Sequence, residues 1–192
     1  MKKILIIQGN PKKESLCGVL AQAYLEEAKK ANHDVKLIEL KDLKFDLNLH
    51  VGYKEEQILE PDLIAAQKEI KEANHLVFIF PNWWSSMPAL LKGFFDRVFL
   101  PGFAFKYRTK SPIPEKLLKG RSARIIITMD APEWYYKWFN KAPGLAALKI
   151  GTLEFSGITP VKSTCLGPVR KAPKERIENF IKKVRKIGSK GE

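Results

Sequence analysis

The strongest constraint on the fold is a strand, loop and helix pattern in the middle of the chain. Leu76 to Phe80 is apolar and too short for a helix, so it predicts a buried strand. A loop with Trp83 and Trp84 follows, and Pro88 suits the first turn of a helix, where no N–H is needed. Apolar residues then recur at helical spacing: Leu90, Leu91, Phe94, Phe95, Val98 and Phe99. In a parallel α/β sheet, ligands bind at the loops that follow the carboxyl ends of the strands. Two adjacent tryptophans in such a loop can form one side of a site for a planar ligand.

The first strand leads into a second candidate ligand loop. Lys3 to Gln8 is almost continuously apolar and predicts a strand covered on both faces. Gly9-Asn10-Pro11 ends it, and Ser15 is a plausible N-cap for the helix that follows. Free backbone N–H groups, a helix dipole and nearby lysines suit a phosphate there. The alternative is an ordinary strand-to-helix turn with a capping serine.

The rest of the chain continues the alternation of strands and helices. We predict further strands at Asp34–Leu40, Arg121–Met129 and Ile158–Leu166, and further helices at Pro61–Ala73, Leu145–Phe155 and Pro173–Ile187. Two segments carry no such pattern, a long excursion over Lys41–Glu60 and an aromatic-rich loop over Pro101–Lys119. The prediction is one α/β domain over residues 1–192, a doubly wound five-stranded parallel sheet with helices on both faces.

The predicted topology brings the two loops together. In a five-stranded sheet of order 2-1-3-4-5, the switch point lies between strands one and three. Those strands feed the loops at Gly9–Ser15 and Pro81–Pro88. A phosphate site beside a flat aromatic wall predicts a flavin or nucleotide ligand.

Charge and composition narrow the classes of partner. The chain has 192 residues and a formal net charge of +13, which favours anionic partners such as phosphorylated cofactors. The basic last helix lacks interleaved aromatic residues, so nucleic acid is not predicted. No apolar run is long enough for a membrane span, and Ile4–Ile7 is too short for a secretory signal. Cys17 and Cys165 lack metal-ligand spacing and predict reduced thiols in a cytoplasmic protein.

A second aromatic stretch follows the fourth predicted strand. Asp130 to Pro143 holds two Trp, two Tyr and one Phe, just past the carboxyl end of that strand. We expect it to line the same crevice. Packing or a dimer contact is an equally good explanation for Tyr135 and Tyr136.

The residues resemble a known family at this point. The segment FPNWWSSMPALLKGFFDRVFLPGFAF is similar to the flavodoxin-like NAD(P)H:quinone oxidoreductase family, with its pattern P-x-x-W-x-x-x-P-A-x-L-K-G-x-x-[DE]-R-V-F. The loop at Gly9–Cys17 resembles the first phosphate loop of that family, and TMDAPEWYY resembles its fourth-strand loop. The resemblance covers nearly the whole chain in order.

The resemblance implies a flavoprotein, with FMN or FAD, that is a homodimer and reduces quinone-like acceptors with NADH or NADPH. By analogy, three loops hold the flavin. The phosphate loop matches Asn10, Ser15, Leu16 and Cys17; the ring loop matches Pro81, Asn82, Trp83, Trp84 and Ser85; the fourth-strand loop matches Thr128, Met129 and Asp130.

The chain also departs from the family pattern. Asn10 stands where the family often has His, and Thr128-Met129-Asp130-Ala131 replaces a Thr-Thr-Gly-Gly turn, which removes backbone freedom. Some relatives use a Tyr and a His as a relay, but His33, His50 and His75 all lie outside this segment.

The resemblance leaves two functions to compare. In the first, hydride transfer is the chemistry of the flavin itself, in a two-electron ping-pong cycle. Trp84, Trp134, Tyr135 and Phe105 are candidates for stacking, and Tyr135 or Tyr136 for a hydrogen bond to the acceptor carbonyl. The second function is a flavin-binding accessory subunit of a membrane transporter.

Overall fold

The computed structural model describes residues 1–192 and contains seven strands, five of which form one parallel sheet. The strands are β1 (Lys3–Gln8), β2 (Asp34–Glu39), β3 (His75–Pro81), β4 (Phe105–Arg108), β5 (Ser111–Lys116), β6 (Ser122–Thr128) and β7 (Val161–Leu166). The large sheet has the order β2-β1-β3-β6-β7. This confirms the predicted order 2-1-3-4-5, because β6 and β7 are its fourth and fifth strands.

Five α-helices cover the sheet. They are α1 (Leu16–Lys30), α2 (Pro61–Glu72), α3 (Ala89–Val98), α4 (Pro143–Leu148) and α5 (Lys174–Ser189). A 3-10 turn spans Leu40–Asp42, and π-helical turns span Tyr135–Phe139 and Lys149–Glu154. None of the helices combines the length and the apolarity needed to cross a membrane.

The core has two layers, one on each face of the sheet. Val77 and Ile79 of β3 pack into a cluster with α1 and α5, while Phe78 and Phe80 pack into a cluster with α2 and α3. Alternate residues of one strand point to opposite faces, so a strand buried on both sides must be apolar throughout. The prediction of helices on both faces is confirmed.

The predicted loop at 101–119 was wrong in part, because it contains the antiparallel hairpin of β4 and β5. Pro112 and Pro114 lie in β5 and hide the strand pattern, since proline is depleted in strands. Phe105 anchors the hairpin to the core at 7% exposure, and its ring lies 5.2 Å from that of Phe155. The hairpin packs on the main body but adds no strand to the parallel sheet.

Candidate functional site

Three loops meet at the carboxyl edge of the sheet. They follow β1, β3 and β6, and short backbone hydrogen bonds join them at their bases. Gly9 N donates to Ile79 O at 2.9 Å, and Asn82 N donates to Thr128 O at 2.7 Å. Since β1 and β3 are neighbours, the loops that follow them flank the switch point of the sheet.

The start of α1 forms an anion cradle. Ser15 Oγ accepts a hydrogen bond from Gly18 N at 3.1 Å, so Ser15 is the N-cap, as predicted. Ser15 O accepts from Val19 N at 3.1 Å. The N–H groups of Leu16 and Cys17 have no acceptor in the protein. Free donors at the positive end of a helix dipole suit a phosphate.

Two side chains shape the approach to this cradle. Asn10 N donates to Gln8 Oε1, and Asn10 Oδ1 accepts from Lys12 N at 3.0 Å, which turns the chain toward α1. Gln8 is 1% exposed, and its buried Nε2 has no partner. Sequence reasoning missed Gln8, although a lone amide in an apolar strand was a visible signal. Its unpaired donor lies close to Gly18, beneath the cradle.

Cys17 holds the cradle against the loop after β6. Its thiol is 1% exposed, and Sγ lies 3.4 Å from Thr128 Oγ1. Burial raises the pKa of the Cys17 thiol, so the group stays neutral near pH 7. The thiol is therefore a packing group, and only the backbone N–H of Cys17 is available to an anion.

The tryptophan loop is a tight two-residue turn. Trp83 and Ser86 exchange two backbone hydrogen bonds of 2.9 Å, with Trp84 and Ser85 at the tip. Both tip residues have positive φ, 50° for Trp84 and 58° for Ser85. Left-handed backbone at consecutive non-glycine residues is strained. The Trp84 side chain is fully exposed and Trp83 is about half exposed, so the turn presents indole surface to solvent.

The start of α4 braces this turn. Gly144 N donates to Ser85 O at 2.9 Å, and a Cβ on Gly144 would lie 2.6 Å from that oxygen. Just before it, Lys141 and Ala142 also have positive φ, and Ala142 N donates to Tyr136 O at 2.9 Å. Two pairs of residues with positive φ, Trp84–Ser85 and Lys141–Ala142, are therefore held close together by the hydrogen bond from Gly144 N to Ser85 O.

The loop after β6 is fixed by a neighbouring loop that sequence reasoning missed. Met129 is buried; its N donates to Leu166 O and its O accepts from Val169 N, both at 3.0 Å. Asp130 Oδ1 accepts from Arg170 N at 2.9 Å. The segment after β7 therefore determines how Thr128, Met129 and Asp130 face the crevice.

Tyr135 and Tyr136 lie in different environments. Tyr135 is partly exposed and stacks on Phe139, with centroids 5.6 Å apart and planes at 12°. Tyr136 is 1% exposed, and its hydroxyl accepts a hydrogen bond from Leu145 N at 3.1 Å. The hydroxyl of Tyr136 is therefore buried in this structure, and a hydrogen bond from it to an acceptor carbonyl stays a prediction.

Exposed aromatic surface surrounds Tyr135. Trp134, Trp138 and Phe139 are exposed, and the rings of Trp134 and Phe139 meet edge to face at 5.8 Å. Phe105, expected to stack on a ligand, is buried instead at the base of the hairpin. His75, at the first residue of β3, lies at the opposite end of that strand from the tryptophan loop.

The residues present fit a phosphorylated flat cofactor. The cradle supplies two free N–H groups with the unpaired amide of Gln8 below them, and the neighbouring turn supplies exposed indoles. No three His, Cys, Asp or Glu side chains are grouped so that they could hold a metal ion.

Comparison with known proteins agrees with this architecture. Residues 2–188 match the model of a family described by a flavodoxin-like fold. NAD(P)H dehydrogenase (quinone) 1 of Cavia porcellus is 31% identical over 186 residues, which cover 82% of this chain and 65% of that protein. The chain thus spans slightly less than two thirds of that relative.

Two further proteins match over larger shares of their own length. The FMN-dependent NADH:quinone oxidoreductase of Coprothermobacter proteolyticus is 32% identical over 140 residues, which cover 67% of this chain and 68% of that protein. The crystal structure of Smu.1420 from Streptococcus mutans has a TM-score of 0.79 and 30% identity, and it covers 98% of this chain and 99% of that one.

Proposed function

The chain belongs to the flavodoxin-like family, and on that premise we propose that it is a flavin-dependent oxidoreductase. It transfers electrons from NADH or NADPH to quinones or related acceptors in a two-electron ping-pong cycle. The observation that carries the proposal is that the anion cradle at α1 and the turn that presents the fully exposed indole of Trp84 follow neighbouring strands at one edge of the sheet. The names of the relatives support the same class of reaction.

Three loops would hold the flavin. The N–H groups of Leu16 and Cys17 bind its phosphate, with Ser15 and Asn10 shaping the cradle. The backbone of Pro81, Asn82, Trp83, Trp84 and Ser85 faces the ring, and Thr128, Met129 and Asp130 close the other side of the crevice. The FMN-dependent relative supports FMN as the form bound.

The bound flavin supplies the hydride chemistry, and the chain positions the reactants. Trp84, Trp134 and Tyr135 offer stacking surface for the nicotinamide and for a flat acceptor, which occupy the same place in turn. Tyr135 is the one tyrosine of the pair with an exposed ring, so it is the candidate hydrogen-bond donor to an acceptor carbonyl.

The active form is a homodimer in this proposal. Trp84, Trp134, Trp138 and Phe139 all expose large aromatic side chains, and such a concentration is unusual for a monomer. An apolar groove of about 440 Å³ between α3, the hairpin and the π-helical turn at 149–154 adds further uncovered apolar surface.

Both cysteines are free and buried, which supports a reducing, cytoplasmic location.

The visible spectrum of the flavin-reconstituted protein tests the function. The expected result is bound oxidised flavin that bleaches with NADPH or NADH under anaerobic conditions and recovers when a benzoquinone is added. Analysis of the released cofactor identifies FMN or FAD, and sedimentation of the same sample gives the oligomeric state.

Two results would contradict the proposal. Bound flavin that neither nicotinamide reduces would favour the accessory-subunit function over an enzyme. Failure of reconstitution to give any bound flavin would mean that the tryptophan loop serves packing or association alone.

A further inference from the structure

A second polar cavity lies at the amino edge of the sheet, opposite the three loops. Its volume is about 160 Å³. His75 begins β3 and Ser122 begins β6, so both sit at this edge because the strands are parallel. The cavity is lined by Lys2, His75, Ser122, Ala123, Pro160, Lys162 and Glu192.

Cations outnumber side-chain carboxylates around this cavity. Lys162 Nζ lies 3.1 Å from Glu192 Oε2, and Arg124 Nη2 lies 3.5 Å from the same oxygen. A third cation, Lys2, donates from Nζ to Gly191 O at 2.7 Å. One side-chain carboxylate therefore faces three positive side chains, which leaves excess positive charge for a second anionic group.

Two buried donors at this edge have no partner. His75 is 3% exposed; its Nδ1 pairs with Ser122 Oγ at 2.8 Å, while Nε2 makes no hydrogen bond. Arg124 is 8% exposed; its Nη1 donates to Thr164 Oγ1 at 3.1 Å, while Nε makes no hydrogen bond. Unpaired buried polar atoms are costly, so Nε2 of His75, which lines the cavity, indicates a missing partner there. Arg124 reaches the site through its Nη2 contact with Glu192.

The imidazole of His75 is a neutral donor in this setting. Burial, together with the charges of Lys2, Arg124 and Lys162, lowers the pKa of His75 to about 4. In the tautomer in which Nδ1 accepts from the Ser122 hydroxyl, Nε2 carries the proton and is the atom that donates to an acceptor.

We propose that this cavity is a binding site for a small oxyanion of the phosphate or carboxylate class, and that the Glu192 carboxylate stands in for this ligand. Lys162 and Arg124 already hold an anionic oxygen there, and His75 Nε2 is the unused hydrogen-bonding atom in the lining. The Glu192 side chain is 39% exposed and can be displaced without opening the core. The volume admits a single oxyanion and excludes a nucleotide.

The site is separate from the flavin cradle. His75 is the first and Pro81 the last of the seven residues of β3, so the length of the strand separates His75 from the tryptophan loop by about 20 Å at roughly 3.3 Å per residue. The proposal therefore does not depend on the proposed function, and either can fail without the other.

Titration of the full chain with inorganic phosphate, followed by the NMR signals of the His75 ring, tests the site. A His75→Gln variant assigns those signals. We expect phosphate to shift them in the parent protein, and to bind about tenfold more tightly to Glu192→Gln, because that change removes the competing carboxylate. The position of His75 distinguishes this event from phosphate entering the cradle at α1.

A matched pair of lysine changes supplies the control. In the Glu192→Gln background, Lys162→Gln is expected to weaken phosphate binding about tenfold, since it removes a charge-assisted hydrogen bond. Lys182→Gln makes the same charge change on exposed surface of α5 and is expected to leave binding unchanged. Unmoved His75 signals in both the parent and Glu192→Gln would overturn the proposal, as would equal effects of the two lysine changes.

Discussion

Ser15 supports both the stability of α1 and the anion cradle. Replacing it with Ala removes the hydroxyl that accepts from Gly18 N and is expected to cost about 1 kcal/mol of unfolding free energy. The cradle then loses its shape, so FMN affinity should fall about tenfold. Chemical denaturation and flavin titration measure the two effects.

Riboflavin provides the control for Ser15→Ala, because it has the ring without the phosphate. Its affinity should be unchanged, and Ser163→Ala, at an exposed serine of β7, should alter neither quantity. A parallel loss of riboflavin binding would show that Ser15 acts through the whole crevice.

Trp84 combines strain with exposure, so stability and function should respond in opposite directions. Left-handed backbone costs a non-glycine residue about 1–2 kcal/mol, whereas glycine tolerates it at a smaller entropic cost. Trp84→Gly should therefore raise the unfolding free energy by roughly 0.5–1 kcal/mol. Loss of the indole should lower kcat/KM for a quinone about threefold to tenfold.

Trp84→Ala separates the two effects of this change. Alanine keeps the strained backbone and loses the indole, so turnover should fall as in Trp84→Gly while stability stays near that of the parent. Since the indole is fully exposed, its removal leaves no cavity. Equal stabilisation by both variants would show that the φ value is not the cause.

His75 should make stability depend on pH in mildly acidic solution. Its pKa is lowered from 6.5 to about 4 by burial and by neighbouring cations, so below pH 6.5 the unfolded chain binds the proton more readily. The associated stability is complete above pH 6.5 and is lost as the pH falls toward 4. The upper limit is about 3 kcal/mol, at about 1.36 kcal/mol per pKa unit.

Two variants attribute that pH dependence. In phosphate-free buffer, His75→Gln should flatten the curve of unfolding free energy between pH 4.5 and 6.5, where the carboxylates contribute little. His33 also has a lowered pKa, caused mainly by burial, so His33→Gln should flatten the curve to a smaller extent. An unchanged slope in His75→Gln would contradict the burial of a neutral imidazole.

At the scale of elements, apolar pattern alone predicted the sheet. The three central strands, β1, β3 and β6, are buried on both faces, so their residues form apolar runs that neither a turn nor an amphipathic helix would produce. The hairpin of β4 and β5 could not be predicted in this way. Its strands are mostly exposed and one contains two prolines, and packing of Phe105 holds it in place.

Gly144 is where two elements meet most closely. In Gly144→Ala the new Cβ would lie 2.6 Å from both Ser85 O and Ser86 Cα, so α4 and the tryptophan loop must move apart. We expect a loss of about 1–3 kcal/mol in unfolding free energy and weaker flavin binding. Thermal unfolding and flavin titration measure both.

Gly151→Ala is the matched control for Gly144→Ala. It makes the same change in the π-helical turn that continues α4, where a Cβ would meet nothing within 4 Å. Alanine is favoured over glycine in helices by up to about 1 kcal/mol, so this variant should be neutral or stabilised. Equal destabilisation by both would place the effect in helix propensity and not in the contact with the turn.

At the scale of the whole molecule, topology explains why most of the candidate site could be predicted. Parallel strands place their following loops at one edge, so Asn10, Ser15 and Trp84 come together once the order of strands is known. Long-range packing explains what was missed. Contacts between distant segments leave no local pattern in the sequence. They include the burial of Tyr136, the hydrogen bond from Gly144 to Ser85 and the hydrogen bond from Arg170 to Asp130.

The longest segment without regular structure is attached to the body of the protein by Arg97. This fully buried side chain donates to Asp46 O at 2.6 Å and Ile58 O at 3.1 Å, and it pairs with both carboxylate oxygens of Glu60. One turn earlier on α3, Gly93 admits the backbone of Leu47, since a Cβ there would lie 2.8 Å from Leu47 O. The face of α3 that carries Gly93 and Arg97 therefore holds residues 46–60.

Arg97→Met should release this segment, because it keeps the apolar stem of the side chain and removes every hydrogen bond to residues 46–60. Breaking a buried pair leaves its partners unsatisfied, so we expect a loss of roughly 3 kcal/mol in unfolding free energy. Limited trypsin digestion should then cut at Lys54 before any site in the sheet. Lys92→Met, on the same helix, breaks only an exposed pair with Asp96 and should cost less than about 1 kcal/mol. If both variants resist trypsin equally, packing of Phe45 against Phe94 holds the segment without the arginine.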